Sequence, residues 1–247
     1  MQKEKYIVLF FVILQECSKN ICIMELKEAI IRRHSVRQYV ERSIETDKVE
    51  RLRQVVNECN TEGNLHIQLI TDEPQAFGGR WAHYGKFSGV SNYFAMIGRK
   101  DKSLDERIGY YGERLVLEAQ RLGLNTCWVG LTYSKVSDVL AIDKDETLVC
   151  VISLGYGASQ GTARKSKTPE QVSKNATSQP LPQWFRDGVE MALLAPTAMN
   201  QQKFRFTLLD GTTVKAEKGI GFYSGVDLGI VKLHFELGAG RENFTWQ

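Results

Sequence analysis

The clearest periodic segment of the chain is a helix predicted over residues 106–122. Leu115, Ala119 and Leu122 fall on one face of that segment, at the spacing of an amphipathic helix. Gly123 follows directly, and glycine commonly ends a helix by adopting the left-handed conformation. The pattern predicts a long helix with one buried face near the middle of the chain.

Four further segments show helical spacing of their apolar positions, and most of them begin with a helix-start signal. They are Leu26, Ala29 and Ile30 after Met24; Val49, Leu52 and Val56, with Asp47 and Glu50 as a capping box; Phe185, Val189, Ala192 and Leu193 after Pro182; and Ile230, Val231, His234 and Leu237, with Asp227 as a cap. Each is expected to bury one face.

Short apolar runs between these helices predict strands. The runs cover residues 65–70, 94–97, 148–154 and 204–209. The third is almost continuously apolar and ends at Gly155, which is typical of a central strand buried on both faces. Asp210-Gly211 after the last run predicts a hairpin turn.

The order of helix, strand and later long helix occurs twice, around residues 46–122 and 182–237, and suggests two α+β halves. Residues 158–180 between them are polar and are expected to form a long surface connection. The predicted division is an N-terminal extension over 1–23, a first half over 24–160, a connection over 161–180 and a second half over 181–247.

Residues 1–23 need a separate interpretation. Two lysines precede an apolar run at positions 6–14, as in a weak signal peptide, but no small-residue cleavage site follows. Nine apolar residues are too few to span a bilayer as a helix. We therefore expect the fold to start at Met24, and a membrane anchor is the less favoured alternative.

Composition narrows the class of protein. The 247 residues are 43% hydrophobic and 25% charged, as in an ordinary soluble domain, and a net charge of +3 gives no sign of nucleic-acid binding. The cysteines are odd in number and form no C-x-x-C pair, so neither a disulfide framework nor a zinc site is expected. They are Cys17, Cys22, Cys59, Cys127 and Cys150. Reduced thiols predict a cytoplasmic location.

A basic cluster directly after the first predicted helix is the first candidate site. Arg32, Arg33 and Arg37 lie within six residues, with His34 and Ser35 between them. Guanidinium groups and a hydroxyl suit a phosphate monoester, because they form several charge-assisted hydrogen bonds with it. Taken alone, such a cluster is more often a solvated helix end than a binding site.

Three other segments have features of a ligand site. Residues 195–202 follow a helix stopped by Pro196, and their small side chains leave backbone amides open to a flat ligand; a plain helix-to-strand loop is the alternative. Residues 123–130 offer Trp128 as an aromatic wall, or simply a core tryptophan. Residues 164–167 are a basic run that either supplies charge to a phosphate or lies in solvent.

Together these segments resemble the FMN-dependent nitroreductase family over nearly the whole chain from Met24. The stretch 32–39 matches an R-R-x-S-x-R-like motif, 123–130 matches a G-L-G-T-x-W-like motif, and 154–156 with Arg164-Lys165 matches a strand followed by a basic pair. The resemblance implies an α+β, nitroreductase-like fold, with an antiparallel-rich mixed sheet and surrounding helices.

One departure from the family pattern is informative. The expected A-P-S motif is missing at residues 57–64 and occurs instead at 195–202, with Thr197 for Ser and Lys203 for Pro. Members of the family are homodimers in which this loop reaches the flavin of the opposite subunit. The chain therefore resembles a single-chain, duplicated branch, which implies a monomer that forms an intrachain pseudo-dimer with one flavin site. A structure in which the 195–202 loop lies far from the arginines would exclude this pseudo-dimer.

The resemblance implies an enzyme that binds FMN and takes NADH or NADPH as co-substrate, in ping-pong reduction of nitroaromatic or quinone-type acceptors. No glycine-rich dinucleotide motif follows a strand, so the nicotinamide is expected to be a visiting substrate. The implied cofactor-binding residues are Arg32, Arg33, His34, Ser35, Arg37, Thr126, Trp128, Gly130, Arg164, Lys165, Pro196, Thr197 and Asn200. No side chain is expected to act as nucleophile, and no membrane, nucleic acid or metal is implied. A flavin-binding protein without turnover, or another flavin reaction on the same fold, remains an alternative.

Overall fold

A computed structural model describes residues 26–247 and shows an α+β fold, as predicted. The helices are α1 (26–32 within the described part), α2 (Thr46–Gly63), α3 (Arg80–Tyr84), α4 (Leu104–Arg121), α5 (Pro169–Val172), α6 (Gln183–Leu193) and α7 (Ser224–Ala239). The strands are β1 (Gln68–Ile70), β2 (Asn92–Arg99), β3 (Asn125–Val129), β4 (Glu146–Gly155), β5 (Ser173–Asn175), β6 (Phe204–Leu208), β7 (Thr213–Lys218) and β8 (Thr245–Trp246). The expectation for residues 1–23 lies outside the described residues.

The first sheet has the order β1-β2-β4-β3 and is antiparallel throughout. Strand β4 pairs with β2 on one side and β3 on the other, with Ile152 between Phe94 and Trp128. This confirms the central strand that the apolar run 148–154 predicts. The chain crosses from β2 to β3 through α4, which ends before Gly123 at φ +76°, so glycine is the predicted stop.

The second sheet has the order β5-β6-β7-β8 and is mixed. Strands β6 and β7 form the predicted hairpin, and the Asp210 carboxylate accepts the backbone N–H groups of Thr212 and Thr213 at 2.9 and 2.7 Å. Strands β5 and β8 add to its two edges in parallel register. The two sheets thus come from separate stretches of sequence, 68–155 and 173–246.

Helices α4 and α7 contact each other through their backbones. A Cβ atom at Gly109 of α4 would overlap the carbonyl oxygen of Val226, and one at Gly229 of α7 would overlap that of Glu106. Helix α7 is buried along almost its whole length, and not on one face alone as expected, because its apolar residues are spread around the helix axis. This contact joins the elements on either side of the polar stretch 158–180.

Three local predictions were wrong. Helix α2 begins at Thr46, one residue before Asp47, and no side-chain cap bond forms there among the described residues. Strand β1 starts only at Gln68, because the Asn60 side chain pairs with both backbone groups of Ile67, at 2.7 and 2.9 Å. The stretch 158–180 is more than a surface connection: Thr168 and Gln171 form a capping box that starts α5, and β5 follows it.

Within residues 26–247, no helix has the length and apolar character that a membrane crossing needs.

Candidate functional site

A cleft of ≈ 270 Å³ lies between β3 and the start of α7. Its walls come from sequence-distant segments: residues 35–37, the end of β3, the loop after α6 and the first turns of α7. The lining residues are Ser35, Arg37, Cys127, Trp128, Val129, Gly130, Leu131, Cys150, Pro196, Thr197, Ala198, Met199, Phe222, Tyr223, Val226, Asp227 and Ile230. The lining is mostly apolar, with a few polar groups at defined places, as in a site for an organic ligand.

The segment after α1 is held against the start of β3 in extended conformation. Ser35 bridges Thr126 in parallel fashion, and the Val36 N–H donates to the Thr126 carbonyl at 3.0 Å. The Tyr39 hydroxyl donates to the Val36 carbonyl at 2.8 Å and lies 2.8 Å from Ser153 Oγ of β4. These contacts fix the segment to the sheet. With Val36 buried, the alternation of an extended chain turns Ser35 and Arg37 towards the cleft.

Arg33 lies behind this segment and is almost fully buried. Its Nη2 donates to the Leu194 carbonyl at 3.5 Å, and its Nε lies 3.8 Å from Glu113 Oε1. Burial lowers the pKa of the Arg33 guanidinium, and the Glu113 carboxylate opposes that shift. The Nε atom has no hydrogen-bond partner within residues 26–247.

Arg164 places a second guanidinium beside the first. Its Nη2 donates to the carbonyls of Leu193 and Ala195, directly before the cleft-lining Pro196. Burial, and next the positive charge of Arg33, lower the pKa of Arg164 to about 10. In the described part of the chain its Nε also has no hydrogen-bond partner. Both cations are largely removed from water, and each has an Nε–H group without a hydrogen-bond partner among the described residues. This arrangement favours the binding of an anion beside them.

Glu113 is the carboxylate closest to these cations, but it already has other partners. Its Oε2 accepts the indole N–H of Trp128 at 2.9 Å, and its Oε1 lies 2.9 Å from His234 Nε2. The Trp128 ring is packed against Gly112, where a Cβ atom would overlap it. The aromatic wall of the cleft is therefore fixed by α4 through a hydrogen bond and a close contact.

The loop after α6 is held in an unusual backbone conformation. Met199, Asn200 and Gln202 have φ values of 50°, 54° and 45°, in the left-handed region that side chains disfavour. Asp227 on α7 stabilises the loop, since its carboxylate accepts the Ala198 N–H at 2.9 Å and Gln201 Nε2 at 2.7 Å. The predicted role of Asp227 as the cap of its own helix was wrong, because α7 begins earlier, at Ser224.

Burial raises the pKa of Asp227 to about 6, although its two hydrogen bonds act in the opposite direction. It is a titratable carboxyl group in the wall of the cleft. The loop also reaches the basic run, where Asn200 Nδ2 donates to the Lys165 carbonyl at 2.8 Å.

The structure brings most of the predicted cofactor residues together. Those that line the cleft are Ser35, Arg37, Trp128, Gly130, Pro196 and Thr197. Those directly behind or beside these residues are Arg33, His34, Thr126, Arg164, Lys165 and Asn200. The 195–202 loop thus lies against the arginine cluster, as the pseudo-dimer hypothesis requires.

Arg32 is not brought into the cleft. Its side chain is 70% exposed and pairs with Glu28 at 2.5 Å, one helical turn earlier on α1. It sits on the solvent face of the helix, where a neighbouring carboxylate satisfies it.

The sequence predictions missed several residues of the cleft, mainly Asp227, Tyr223, Met199 and Phe222. The sequence contains an indication of Asp227, because a lone carboxylate in the apolar run 226–231 is unusual for a buried helix. The sequence contains no such indication of Tyr223. Its hydroxyl lies 3.1 and 3.0 Å from the carbonyls of Gly130 and Val149, which only the tertiary fold brings near.

The sheets, the surrounding helices and this cleft define an α+β protein of the nitroreductase-like class. Residues 25–239 match the family described as "Putative TM nitroreductase", and the chain belongs to that family. The family is one of oxidoreductases by its name.

One solved structure shares the fold, and two further ones are less similar. A "putative nitroreductase" of Thermotoga maritima is 23% identical, with a TM-score of 0.56 over 88% of this chain and 84% of that one. One from Desulfovibrio desulfuricans, solved in complex with FMN, is 17% identical, with a TM-score of 0.49 over 64% and 98%. A "putative NADH dehydrogenase/NAD(P)H nitroreductase" of Parabacteroides distasonis is 20% identical, with a TM-score of 0.48 over 60% and 95%. A search of curated proteins finds no significant match.

Proposed function

We propose that the protein is an FMN-dependent oxidoreductase that uses NAD(P)H to reduce nitroaromatic or quinone-type acceptors. The observation that carries this proposal is the pair of guanidinium groups of buried Arg33 and half-buried Arg164, which lies beside an apolar cleft with a tryptophan wall. The Nε atoms of both have no hydrogen-bond partner among residues 26–247. A flat ring with a phosphate tail is the ligand whose chemistry matches both parts.

The charges in this region fit a phosphate monoester. Arg33 and Arg164 carry two positive charges, while Glu113 is shared with His234 and Trp128. The pKa of His34 is lowered by burial and by both arginines, in keeping with a surplus of positive potential. A phosphate at this place would supply a further negative charge and accept the Nε–H groups of Arg33 and Arg164.

The proposed cofactor residues fall into groups according to the part of FMN that each would contact. Arg33, His34, Ser35, Arg164 and Lys165 would hold the phosphate and the ribityl chain. Arg37, also at the cleft, would present a positive charge to the pyrimidine edge of the ring.

The ring would lie between two walls of the cleft. One wall contains Trp128 of β3 and Gly130 directly after it, with Thr126 beside them. The opposite wall contains Pro196 and Thr197, with Asn200 beside them in the same loop. When bound, FMN would supply the redox chemistry, with two electrons taken from NAD(P)H and passed to the acceptor in a ping-pong sequence. The apolar lining would keep water away from the ring, and the backbone loop would fix its position.

We further propose that the two halves act as an intrachain pseudo-dimer with one flavin site, in a monomeric cytoplasmic protein. Support comes from the cleft walls, which draw on both sequence halves. The three cysteines within residues 26–247 are free thiols, in keeping with a reducing compartment.

The visible spectrum of the purified protein tests the proposal. We expect a yellow protein that releases FMN, is bleached by NADPH or NADH without oxygen, and regains its colour with a nitroaromatic or a quinone. Colour without bleaching would identify a flavin-binding protein without turnover. A colourless protein that takes up no added FMN would refute the proposal.

Matched variants test the assignment of residues. Arg164→Gln and Arg37→Ala should lower FMN affinity by about tenfold or more, since each removes a charged contact. The loss from Arg164→Gln should disappear when riboflavin, which lacks the phosphate, replaces FMN. Arg32→Ala serves as the control, because that side chain lies in solvent. Folded Arg33→Ala and Arg37→Ala proteins with full FMN content would overturn the assignment.

A further inference from the structure

A second groove, of ≈ 550 Å³, lies along the open end of the β6–β7 hairpin. Its lining residues are Lys167, Gln171, Gln202, Lys203, Phe204, Arg205, Glu217, Lys218, Gly219 and Ile220. Four of these are basic and one is acidic, which gives the groove a surplus of three positive charges. The formal charge of the whole chain is also +3, so the groove is a strong local concentration of positive charge.

Three of the four basic side chains of this groove are available to a ligand. Glu217, the one carboxylate, is already paired with Lys215 at 2.7 Å, outside the groove. Lys203, Arg205 and Lys218 are exposed and form no ion pair with any residue in the range 26–247. An exposed guanidinium and two ammonium groups around one hollow suit the oxygens of a phosphate group.

Regular structure holds these side chains in place. Arg205 is opposite Glu217 and Phe204 is opposite Lys218 in the antiparallel ladder, and the Gly219 N–H donates to the Lys203 carbonyl at 2.7 Å. Lys167 is fixed from the other side, where its Nζ donates to the Gln202 carbonyl at 2.6 Å. The groove is therefore carried by a strand pair, which positions charged groups better than a loose loop does.

The groove adjoins the candidate cofactor cleft through one short segment. Ile220 lines the groove and Phe222 lines the cleft, so their Cα atoms are at most about 7.6 Å apart. Gln201 Nε2 donates to the Phe222 carbonyl at 2.7 Å and ties the segment to the 195–202 loop. An extended ligand with one end in the cleft can reach the groove with the other.

We propose that this groove binds the 2′-phosphate of NADPH and makes NADPH the preferred co-substrate over NADH. The inference rests on the proposed function, in which a nicotinamide enters the cleft. NADPH differs from NADH only by a phosphate monoester on the adenosine ribose, which carries about two negative charges near neutral pH. Ile220, 97% exposed at the end of the groove, offers an apolar surface to the adenine base.

Steady-state kinetics with the FMN-loaded protein test whether the groove selects NADPH over NADH. Lys203→Gln and Arg205→Gln should each raise KM for NADPH by roughly two- to fivefold, as expected for exposed charge pairs, and leave KM for NADH unchanged. Glu217→Gln should act in the opposite direction and lower KM for NADPH. Lys174→Gln is the matched control, because it removes one exposed charge from β5 of the same sheet, outside the groove. Equal effects on both nucleotides would overturn the inference.

A binding experiment separates this inference from the proposed function. By calorimetry, adenosine 2′,5′-bisphosphate should bind the wild-type protein more tightly than 5′-AMP, and the difference should shrink in Arg205→Gln and in higher salt. Equal binding of the two probes, or preferred binding of a short RNA, would refute a nucleotide 2′-phosphate site. Failure to oxidise either NADPH or NADH, with the probe preference intact, would refute the proposed function alone.

Discussion

Glu113 and His234 face each other across the α4–α7 contact, with Oε1 2.9 Å from Nε2 and both side chains fully buried. The other ring nitrogen of His234, Nδ1, faces the Met191 carbonyl at 3.1 Å. A carbonyl only accepts, so Nδ1 carries a proton. Nε2 therefore faces the Glu113 carboxyl group, so the oxygen that lies 3.8 Å from Arg33 Nε is also in contact with His234.

Removal of this carboxylate should strongly destabilise the protein. In Glu113→Ala, the Trp128 indole N–H and the His234 ring would lose their acceptor in the interior. We expect the free energy of unfolding in urea to fall by about 3–5 kcal/mol. Glu113→Gln keeps an oxygen for Trp128 and should cost less.

Glu50→Ala is the control for that experiment, because Glu50 is exposed on α2 and should change stability by less than about 0.5 kcal/mol. A Glu113→Ala protein as stable as this control would show that the buried pair does not support the fold.

The buried Asp227 should make stability depend on pH. Its pKa is about 6 in the folded protein against 3.8 for an ordinary aspartate, so the folded state binds more protons between these values. Its contribution to stability is therefore fully present below pH 3.8 and is lost as the pH rises through 6. Relative to Asp227→Asn, the wild type should lose on the order of 2 kcal/mol of unfolding free energy between pH 4 and pH 7.5.

Asp210 provides a control of opposite sign, because hydrogen bonds from the backbone of Thr212 and Thr213 lower its pKa. Urea titrations of wild type, Asp227→Asn and Asp210→Asn at several pH values compare the three. Parallel curves for the wild type and Asp227→Asn would show that Asp227 titrates normally.

Gly130 is expected to be necessary for the shape of the cleft. A Cβ atom there would lie 2.5 Å from the ring of Tyr223, whose hydroxyl faces the Gly130 carbonyl. Gly130→Ala should displace that ring into the cleft, lower FMN content on purification and cost about 1–3 kcal/mol of stability. Gly78→Ala, where the nearest atom is 3.4 Å away, should leave both measurements unchanged. Equal flavin content in the two variants would contradict the prediction.

The α4–α7 contact should tolerate no side chain at its closest point. Alanine at Gly109 or Gly229 would overlap a backbone carbonyl oxygen of the facing helix, which cannot rotate away. Each variant should lower the midpoint of thermal unfolding by several degrees, equivalent to about 3 kcal/mol or more. Gly211→Ala, which has open space around it, is the matched control. Unfolding midpoints equal to that of Gly211→Ala would show that the helices can move apart.

The sequence predicted those parts of the molecule that depend on local periodicity. Helices α4 and α6 and the buried strand β4 were predicted correctly, because their apolar spacing agrees with their final burial. The hairpin turn at Asp210-Gly211 implied a partner for β6, but the residues of that partner, β7, were not predicted, and neither was β8. Strand β7 carries Lys215, Glu217 and Lys218 at exposed or half-exposed positions, and β8 is only two residues long. Such strands are defined by their partners, and the sequence pattern alone does not reveal them.

The candidate site likewise contains residues that the sequence predicted and residues that only the tertiary fold reveals. Motif order brought Ser35, Trp128 and Pro196 to attention, and the structure places all three on one cleft. The Glu113–His234 pair was not predicted, because the two residues are 121 positions apart and each alone is an ordinary helical residue. Arg32 was included because of its sequence neighbours, whereas helical geometry turns it to solvent beside Glu28.

The order of the cleft walls along the chain has a consequence for how the protein is made. The cleft does not exist until Ser224–Ala239 has docked against α4, and those residues leave the ribosome after the arginine cluster and β3. A chain synthesised only as far as β7 already contains the arginine cluster, but it lacks Tyr223, Asp227 and the second wall. Capture of the proposed flavin is therefore expected to follow the synthesis of α7, and a chain shortened before α7 should be unable to retain it.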